Sequence, residues 1–216
     1  MTRSTTHHFD GCLPGHRHAQ AHVSVVLRGD YLESSIDGRF RCDSDCVITH
    51  PQYHWHENHF RGCQVAVTNL SCEQSGDYGV FKLLGSARRS VLTLGHMDVL
   101  AEVISDPRYR VLALPNPAWV DAVREVLLDE PWTRLESLAR SVGISAAHLS
   151  RRFYKITGLR PVQFRAESRA RLAVRRIRLG GSLTQAALDS GYADQSHMCR
   201  DLRVRIGHSP AALAAG

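Results

Sequence analysis

The strongest constraint in this 216-residue sequence is a repeat: two stretches about 50 residues apart follow one plan of helix, glycine turn, capped helix and Gly-x-x-Pro. In the first, Leu135, Leu138, Ala139 and Val142 recur at helical spacing, Gly143 interrupts them, and Ser145 stands where the next helix would be capped. That helix carries Leu149, Phe153 and Ile156 on one face and is closed by Gly158 and Pro161. In the second, Leu183, Ala187 and Leu188 precede Gly191. A further helix then starts near Asp194, with Met198, Leu202 and Ile206 facing inward, and Gly207-His208-Ser209-Pro210 closes it. Between the copies, residues 161–179 read as one long helix with Phe164, Leu172 and Ile177 among its apolar positions, stopped by Gly180-Gly181-Ser182. Two helices joined by a tight turn that needs a glycine backbone make a helix-turn-helix, whose second helix fits the DNA major groove.

Charge supports that reading. Residues 133–216 hold 15 Arg/Lys against 5 Asp/Glu, a net +10, whereas residues 1–132 hold 12 against 16, a net −4. A basic half joined to a mildly acidic half fits a polyanion-binding module attached to a non-binding one. An arginine-rich coding bias accounts for Lys82 and Lys155 being the sole lysines, but not for the split in net charge.

The outward positions of the two second helices are the candidate DNA contacts: Ser145, Ala146, Ala147, His148, Arg151, Arg152 and Lys155 in the first, and Asp194, Gln195, Ser196, His197, Arg200, Asp201 and Arg203 in the second. Arg can bond guanine bidentately, Gln adenine, and an alanine methyl can touch thymine. Arg152, Lys155, Arg203 and Arg205 are assigned to phosphates, which position a protein without conveying sequence. The competing reading is a pair of solvated helix faces; two matched helices in a +10 half favour DNA.

These residues carry a family resemblance. The stretch from about Asn116 to Ala214 resembles the DNA-binding domain of the AraC/XylS family of bacterial transcription regulators. LARSVGISAAHLSRRFYKITGLRPVQF (138–164) matches the family's Leu-Ala, Gly-x-Ser, Leu-Ser-Arg-x-Phe and Gly-x-x-Pro landmarks, and Arg169 and Ala173 match its connecting helix. SGYADQSHMCRDLRVRIGHSP (190–210) is similar to the signature Gly-Phe-x-Asp-x-Ser-x-Phe-x-Arg-x-Phe…Gly-x-Ser-Pro. Ala186, Met198, Leu202 and Leu213-Ala214 depart from it at core or terminal positions, which bears on packing rather than role. The resemblance implies one chain reading two successive major-groove segments about 34 Å apart. It implies double-stranded DNA, a small-molecule effector and RNA polymerase as partners, a homodimer as a candidate assembly, and a cytoplasmic location.

The first ~110 residues read as β-rich, with strand-like runs at 22–27, 38–42, 46–49, 64–69 and 80–84 separated by turn signals. A small barrel or sandwich is expected, then a helical stretch at 96–105 and a linker at Leu114-Pro115-Asn116-Pro117. Nine of the thirteen histidines lie in residues 1–60. His16-x-His18-x3-His22 and His54-x-His56-x2-His59 resemble the two-motif layout of a cupin barrel, a sensor domain often joined to this DNA-binding domain. His16, His18, His22, His54 and His56 are therefore the candidate effector-binding residues. His-x-His on a strand places both imidazoles on one face, so His16, His18 and His56 are the candidate ligands should a metal be held, with no metal or other cofactor the favoured reading.

Two further readings stay open. A metal- or thiol-responsive regulator would use these histidines, or Cys42-x3-Cys46 with Cys63 and Cys72, although the four-cysteine zinc domain of alkylation-repair regulators needs a Cys-x2-Cys pair that Cys63-x8-Cys72 does not supply. A cupin metalloenzyme fused to a DNA-binding domain is the other. No nucleophile motif, phosphate-binding glycine loop or paired-carboxylate signature is recognisable, so the chain is read as a non-enzyme. No apolar run approaches a membrane span, and the N-terminus lacks a secretory core, so membrane insertion and export are not expected. The expected fold is α+β in two domains: a cupin-like β-barrel at 1–112, followed by an all-α double helix-turn-helix domain at 113–216.

Overall fold

A computed structural model describes residues 3–72, 76–91 and 97–214. The chain divides into two compact units, Met1–Leu114 and Pro115–Gly216.

The first unit is organised by β6 (His56–Ser71), the longest of its strands. One edge of β6 pairs antiparallel with β1 (Arg3–His16), from Arg3↔Asn69 to His16↔His56. The other edge is shared. β3 (Asp30–Ser35) takes the first half, Tyr31↔Phe60 to Ser34↔Glu57, and β2 (His22–Arg28) takes the second, His22↔Ser71 to Val26↔Val67. β4 (Gly38–Asp43) continues beyond β3, while β5 (Cys46–His50) and β7 (Gly79–Lys82) continue beyond β2, so the order is β4-β3-β6-β2-β5-β7.

The expected barrel is corrected by this topology. Closure requires the two ends of a sheet to pair, and among the described residues β4 and β7 do not. Instead β6 serves both halves of an open, folded sheet through a change of register: Phe9 pairs with Cys63 but Gly11 with Phe60, leaving one extra residue on β6. Such a bulge flips which side chains face inward. Accordingly His56, Asn58 and Phe60 face in before it, and Val65, Val67 and Asn69 after it.

Strand alternation then builds two apolar layers. Val26, Tyr31, Phe40, Cys42, Cys46, Ile48, Phe60, Val65, Val67, Tyr78 and Val80 fill the space between the halves. Val23, Val25, Val47, Phe81 and Leu83 point to the other side, where Ala87 of α1 (Gly85–Arg89) and Leu100 and Val103 of α2 (Met97–Ser105) cover them. The helical signal read from His96 thus begins at Met97, and His96 lies outside the described residues. Sequence reading missed β1, β3 and α1. In β3, Glu33-Ser34-Ser35 reads as a solvated segment, yet all three residues are buried.

The second unit comprises α3 (Ala118–Asp129), α4 (Leu135–Ser141), α5 (Ala146–Thr157), α6 (Pro161–Arg178), α7 (Leu183–Asp189), α8 (Gln195–Ile206) and α9 (Pro210–Ala214). Helix α6 packs against α3, α5, α7, α8 and α9. Ala166, Ser168, Ala170 and Ala173 are small enough to let neighbours approach on several sides, while Phe164 and Ile177 are fully enclosed and Leu172 only partly. Phe153 and Phe164 meet edge to face at 5.6 Å between ring centroids. The positions that depart from the family pattern, Ala186, Met198, Leu202 and Leu213, are all buried, so smaller or rounder side chains fill the second copy's core. Leu188 is exposed, and Ala186 takes the inward place beside Ala187.

Candidate functional site

The two repeats form the same local structure. Gly143 and Gly191 hold φ of +71° and +76° at the turns, a region open to glycine and costly for other residues. The turn bonds repeat, with Ile144 N–H donating to Ala139 (3.0 Å) and Tyr192 N–H to Ala187 (3.0 Å). Caps repeat too: Ser145 Oγ accepts from His148 N–H (3.2 Å), and Asp194 Oδ1 from His197 N–H (2.7 Å). Both second helices end on left-handed glycines, Gly158 and Gly207.

Burial separates the two faces. Leu149 and Phe153 of α5 and Met198 and Leu202 of α8 are enclosed, whereas Ala147, His148, Arg151, Arg152 and Lys155, and Gln195, Ser196, Arg200 and Arg203, are exposed. Ala146 is half-buried, and Ser145 and Asp194 serve as helix caps. Gln195 Oε1 accepts from Thr184 Oγ1 (3.0 Å), so a bidentate adenine contact requires that bond to open. The His197 ring packs edge-on against Tyr192 at 5.2 Å.

Arg205 is a correction. Read as a phosphate contact, it instead binds Glu167 of α6 through Nη1 (2.9 Å) and Asp201 through Nε (2.8 Å). Tyr192 donates its hydroxyl to Asp201 Oδ2 (2.8 Å), and burial together with that bond pushes the phenol's pKa well up. The network ties α8 to α6 and occupies both Asp201 and Arg205.

The histidines of the first unit converge. A cavity of about 310 Å³ is lined by His16, His18, His22, His50 and His56, with Ser24, Asn58 and Asn69 and a floor of Leu13, Tyr31, Phe60 and Val67. The inward alternation of β2, β5 and β6 brings His22, His50 and His56 there, and pairing of His16 with His56 brings the end of β1. The loops are pinned together as Tyr53 N–H donates to His18 O (2.9 Å) and Gln52 Nε2 to Ala19 O (2.9 Å).

Of the candidate effector residues, His16, His18, His22 and His56 line the cavity. His54 does not: it bonds Asp37 Oδ2 through Nε2 (2.8 Å) and stacks on Tyr78 at 4.3 Å. The sequence reading missed His50 and Glu33. Glu33 is fully enclosed, accepting from the Tyr78 hydroxyl (2.9 Å) and from His50 Nε2 (3.1 Å) on Oε1. Burial holds the His50 imidazole well below its usual pKa, so this contact is a hydrogen bond to a neutral ring rather than an ion pair. A signal for His50 existed, since it follows Cys46 and Ile48 at strand spacing; Glu33 had none.

Burial likewise lowers His18 to about 4, and depresses His22 and His56. These groups take up protons at about pH 6.5 when unfolded and at lower pH when folded, so protonation in that window lowers the stability of the folded chain relative to the unfolded one. Stability of the metal-free protein is therefore expected to be intact above pH ~6.5 and to decline as the pH falls toward 4. Thermal unfolding of the first unit at pH 7 and pH 5 measures this; equal midpoints would contradict it.

The cysteine alternative gains nothing here. Burial raises the Cys42 thiol well above its usual pKa and Cys46 to about 12, which disfavours the thiolate that metal binding and redox chemistry need. Among the described residues, neither these nor Cys72 joins a group of metal-ligating side chains; the Cys63 side chain lies outside the described residues.

Residues 138–215 match a family model described as a helix-turn-helix domain. The HTH-type transcriptional regulator RipA of Corynebacterium glutamicum is 33% identical over 105 residues, which are 48% of this chain and 32% of that protein. The chain thus spans about a third of the length of the curated relative it matches. A solved structure of a probable AraC family transcriptional regulator from Rhodopseudomonas palustris is 25% identical, covering 46% of this chain and 96% of that one, at a TM-score of 0.40. ToxT from Vibrio cholerae aligns over 99% of this chain and 98% of its own at 8% identity and a TM-score of 0.43. No described helix is long and apolar enough to cross a membrane. With its landmark residues and its paired caps and turns, the stretch 138–215 is a helix-turn-helix domain, similar to part of the HTH-type transcriptional regulator RipA.

Proposed function

We propose that this protein is a sequence-specific transcription regulator that inserts α5 and α8 into two successive major-groove segments, and that a small molecule in the histidine-lined cavity adjusts that activity. One observation carries the DNA reading: the same cap, turn and C-terminal glycine occur twice, each time presenting an arginine-bearing exposed face backed by an enclosed apolar one. Arg200 and Arg151 are the base-reading candidates; Arg152, Lys155 and Arg203 hold phosphates. Ligand in the cavity shifts the balance between conformations that bind DNA well or poorly. RNA polymerase and a second copy of the chain in the cytoplasm complete the assembly.

Selection of bound duplexes from a random pool tests the reading, and a pool that emerges without a consensus defeats it. Within a recovered site, Arg200→Ala is expected to cost roughly 1–3 kcal/mol and to relax preference at one position. An equal loss on specific and random duplexes would remove Arg200 from base reading. Lys155→Ala is expected to weaken all sequences alike and to lower the salt slope by about one phosphate.

A further inference from the structure

We infer that His16, His18 and His56 form a binding site for one divalent first-row transition-metal ion, with an open coordination position facing the cavity. The three come from the end of β1, the loop before β2 and the start of β6, yet one ring nitrogen from each lies within 4.8 Å of the others. Closing on an ion at about 2.1 Å asks each nitrogen to move by on the order of 1 Å, within the reach of small side-chain rotations.

Hydrogen bonds set the tautomers for this role. His16 Nδ1 lies 2.9 Å from the Pro14 carbonyl, and His56 Nδ1 lies 3.3 Å from the His54 carbonyl. A carbonyl only accepts, so both rings carry their proton on Nδ1 and keep the Nε2 lone pair available. Ligating histidines are oriented in this way, by a bond from the other ring nitrogen to a backbone carbonyl. Behind them, His22 lies 4.3 Å from the His18 ring and His50 lies 4.4 Å from the His56 ring, while Glu33 adds a buried carboxylate already engaged by Tyr78 and His50. Three imidazoles suit Zn²⁺, Co²⁺, Ni²⁺ or Cu²⁺ and not Mg²⁺ or Ca²⁺. With three protein ligands the ion keeps a position for a donor atom of a small molecule, and the apolar floor would receive the rest of it.

A second group, Cys12, Glu57 and His59, is already closed upon itself: Glu57 Oε1 accepts from Cys12 Sγ (3.2 Å) and from His59 Nε2 (2.8 Å). It serves as the control. The inference rests on the cavity being the ligand site and is independent of DNA recognition; the titration is run without DNA, so either can fail alone.

The full chain, untagged and stripped of metal, is titrated calorimetrically with Zn²⁺, Ni²⁺ and Ca²⁺. One Zn²⁺ or Ni²⁺ per chain at micromolar affinity or tighter, with no Ca²⁺ binding, is expected. His18→Gln and His56→Gln should each weaken binding roughly tenfold or more, and Glu57→Gln should leave it unchanged. The unaltered chain loaded with Co²⁺ gives a readout that does not depend on the variants folding: visible bands without thiolate charge transfer are expected. Absent binding, binding indifferent to His18 and His56, or a thiolate band would each overturn the site.

Discussion

Phe153→Ala is expected to destabilise the C-terminal unit by about 3–5 kcal/mol and to abolish DNA binding near physiological temperature. The ring is fully enclosed and meets Phe164 edge to face, so its removal discards the transfer free energy of a phenyl group and leaves a void between α5 and α6. Helix α5 has few other means of holding its exposed arginines in place: Leu149 and the Thr157 hydroxyl, which bonds Phe153 O (2.8 Å) and Leu159 O (3.1 Å), make up most of its enclosed face. Urea unfolding of the variant gives the cost, and a duplex titration gives the consequence. A loss below about 1 kcal/mol would mean that the helix is not seated by this ring. Arg151→Ala, on the outer face of the same helix, should leave stability within about 0.5 kcal/mol.

The second large effect belongs to the other unit. Glu33→Ala is expected to cost roughly 2–6 kcal/mol, because it strands two buried donors, the Tyr78 hydroxyl and His50 Nε2–H, at about 1–3 kcal/mol each. Asn58 adds to this, since its amide nitrogen donates to Glu33 Oε2 (3.2 Å) in its hydrogen-bonded orientation. Glu33→Gln keeps an acceptor and nearly the same volume, so it should cost distinctly less. Unfolding followed by near-ultraviolet circular dichroism compares the two variants; identical losses would show that packing, not hydrogen bonding, is what Glu33 contributes. Because the cost falls on the first unit, the second unit's folding should be unchanged.

These two residues also mark the limits of reading the chain as a string. Phe153 could be placed from sequence, since it recurs with Leu149 at helical spacing between a serine cap and a terminal glycine. Such signals are local: each helix and turn of the repeat is specified by residues within a turn or two of one another, which is why both turn glycines and both caps are legible in the sequence. Arg205 reads as a phosphate contact because only one of its two carboxylate partners, Asp201, is local, while Glu167 lies on another helix. Glu33 carried no signal at all, as a carboxylate in a polar strand looks solvated until its neighbours are known.

The sequence alone determined a duplicated helix-turn-helix with its basic outer faces, a β-rich first half, and a concentration of histidines within it. Tertiary structure alone decided that the sheet formed by the described residues stays open, that a bulge in β6 reverses which side chains face inward, and that His16, His18, His22, His50 and His56 share one cavity backed by Glu33. The reason is the range of the interactions. Helices close their hydrogen bonds within four residues, so their caps and turns are written locally, whereas strands pair with partners far along the chain, and a one-residue shift in register moves every side chain to the opposite face.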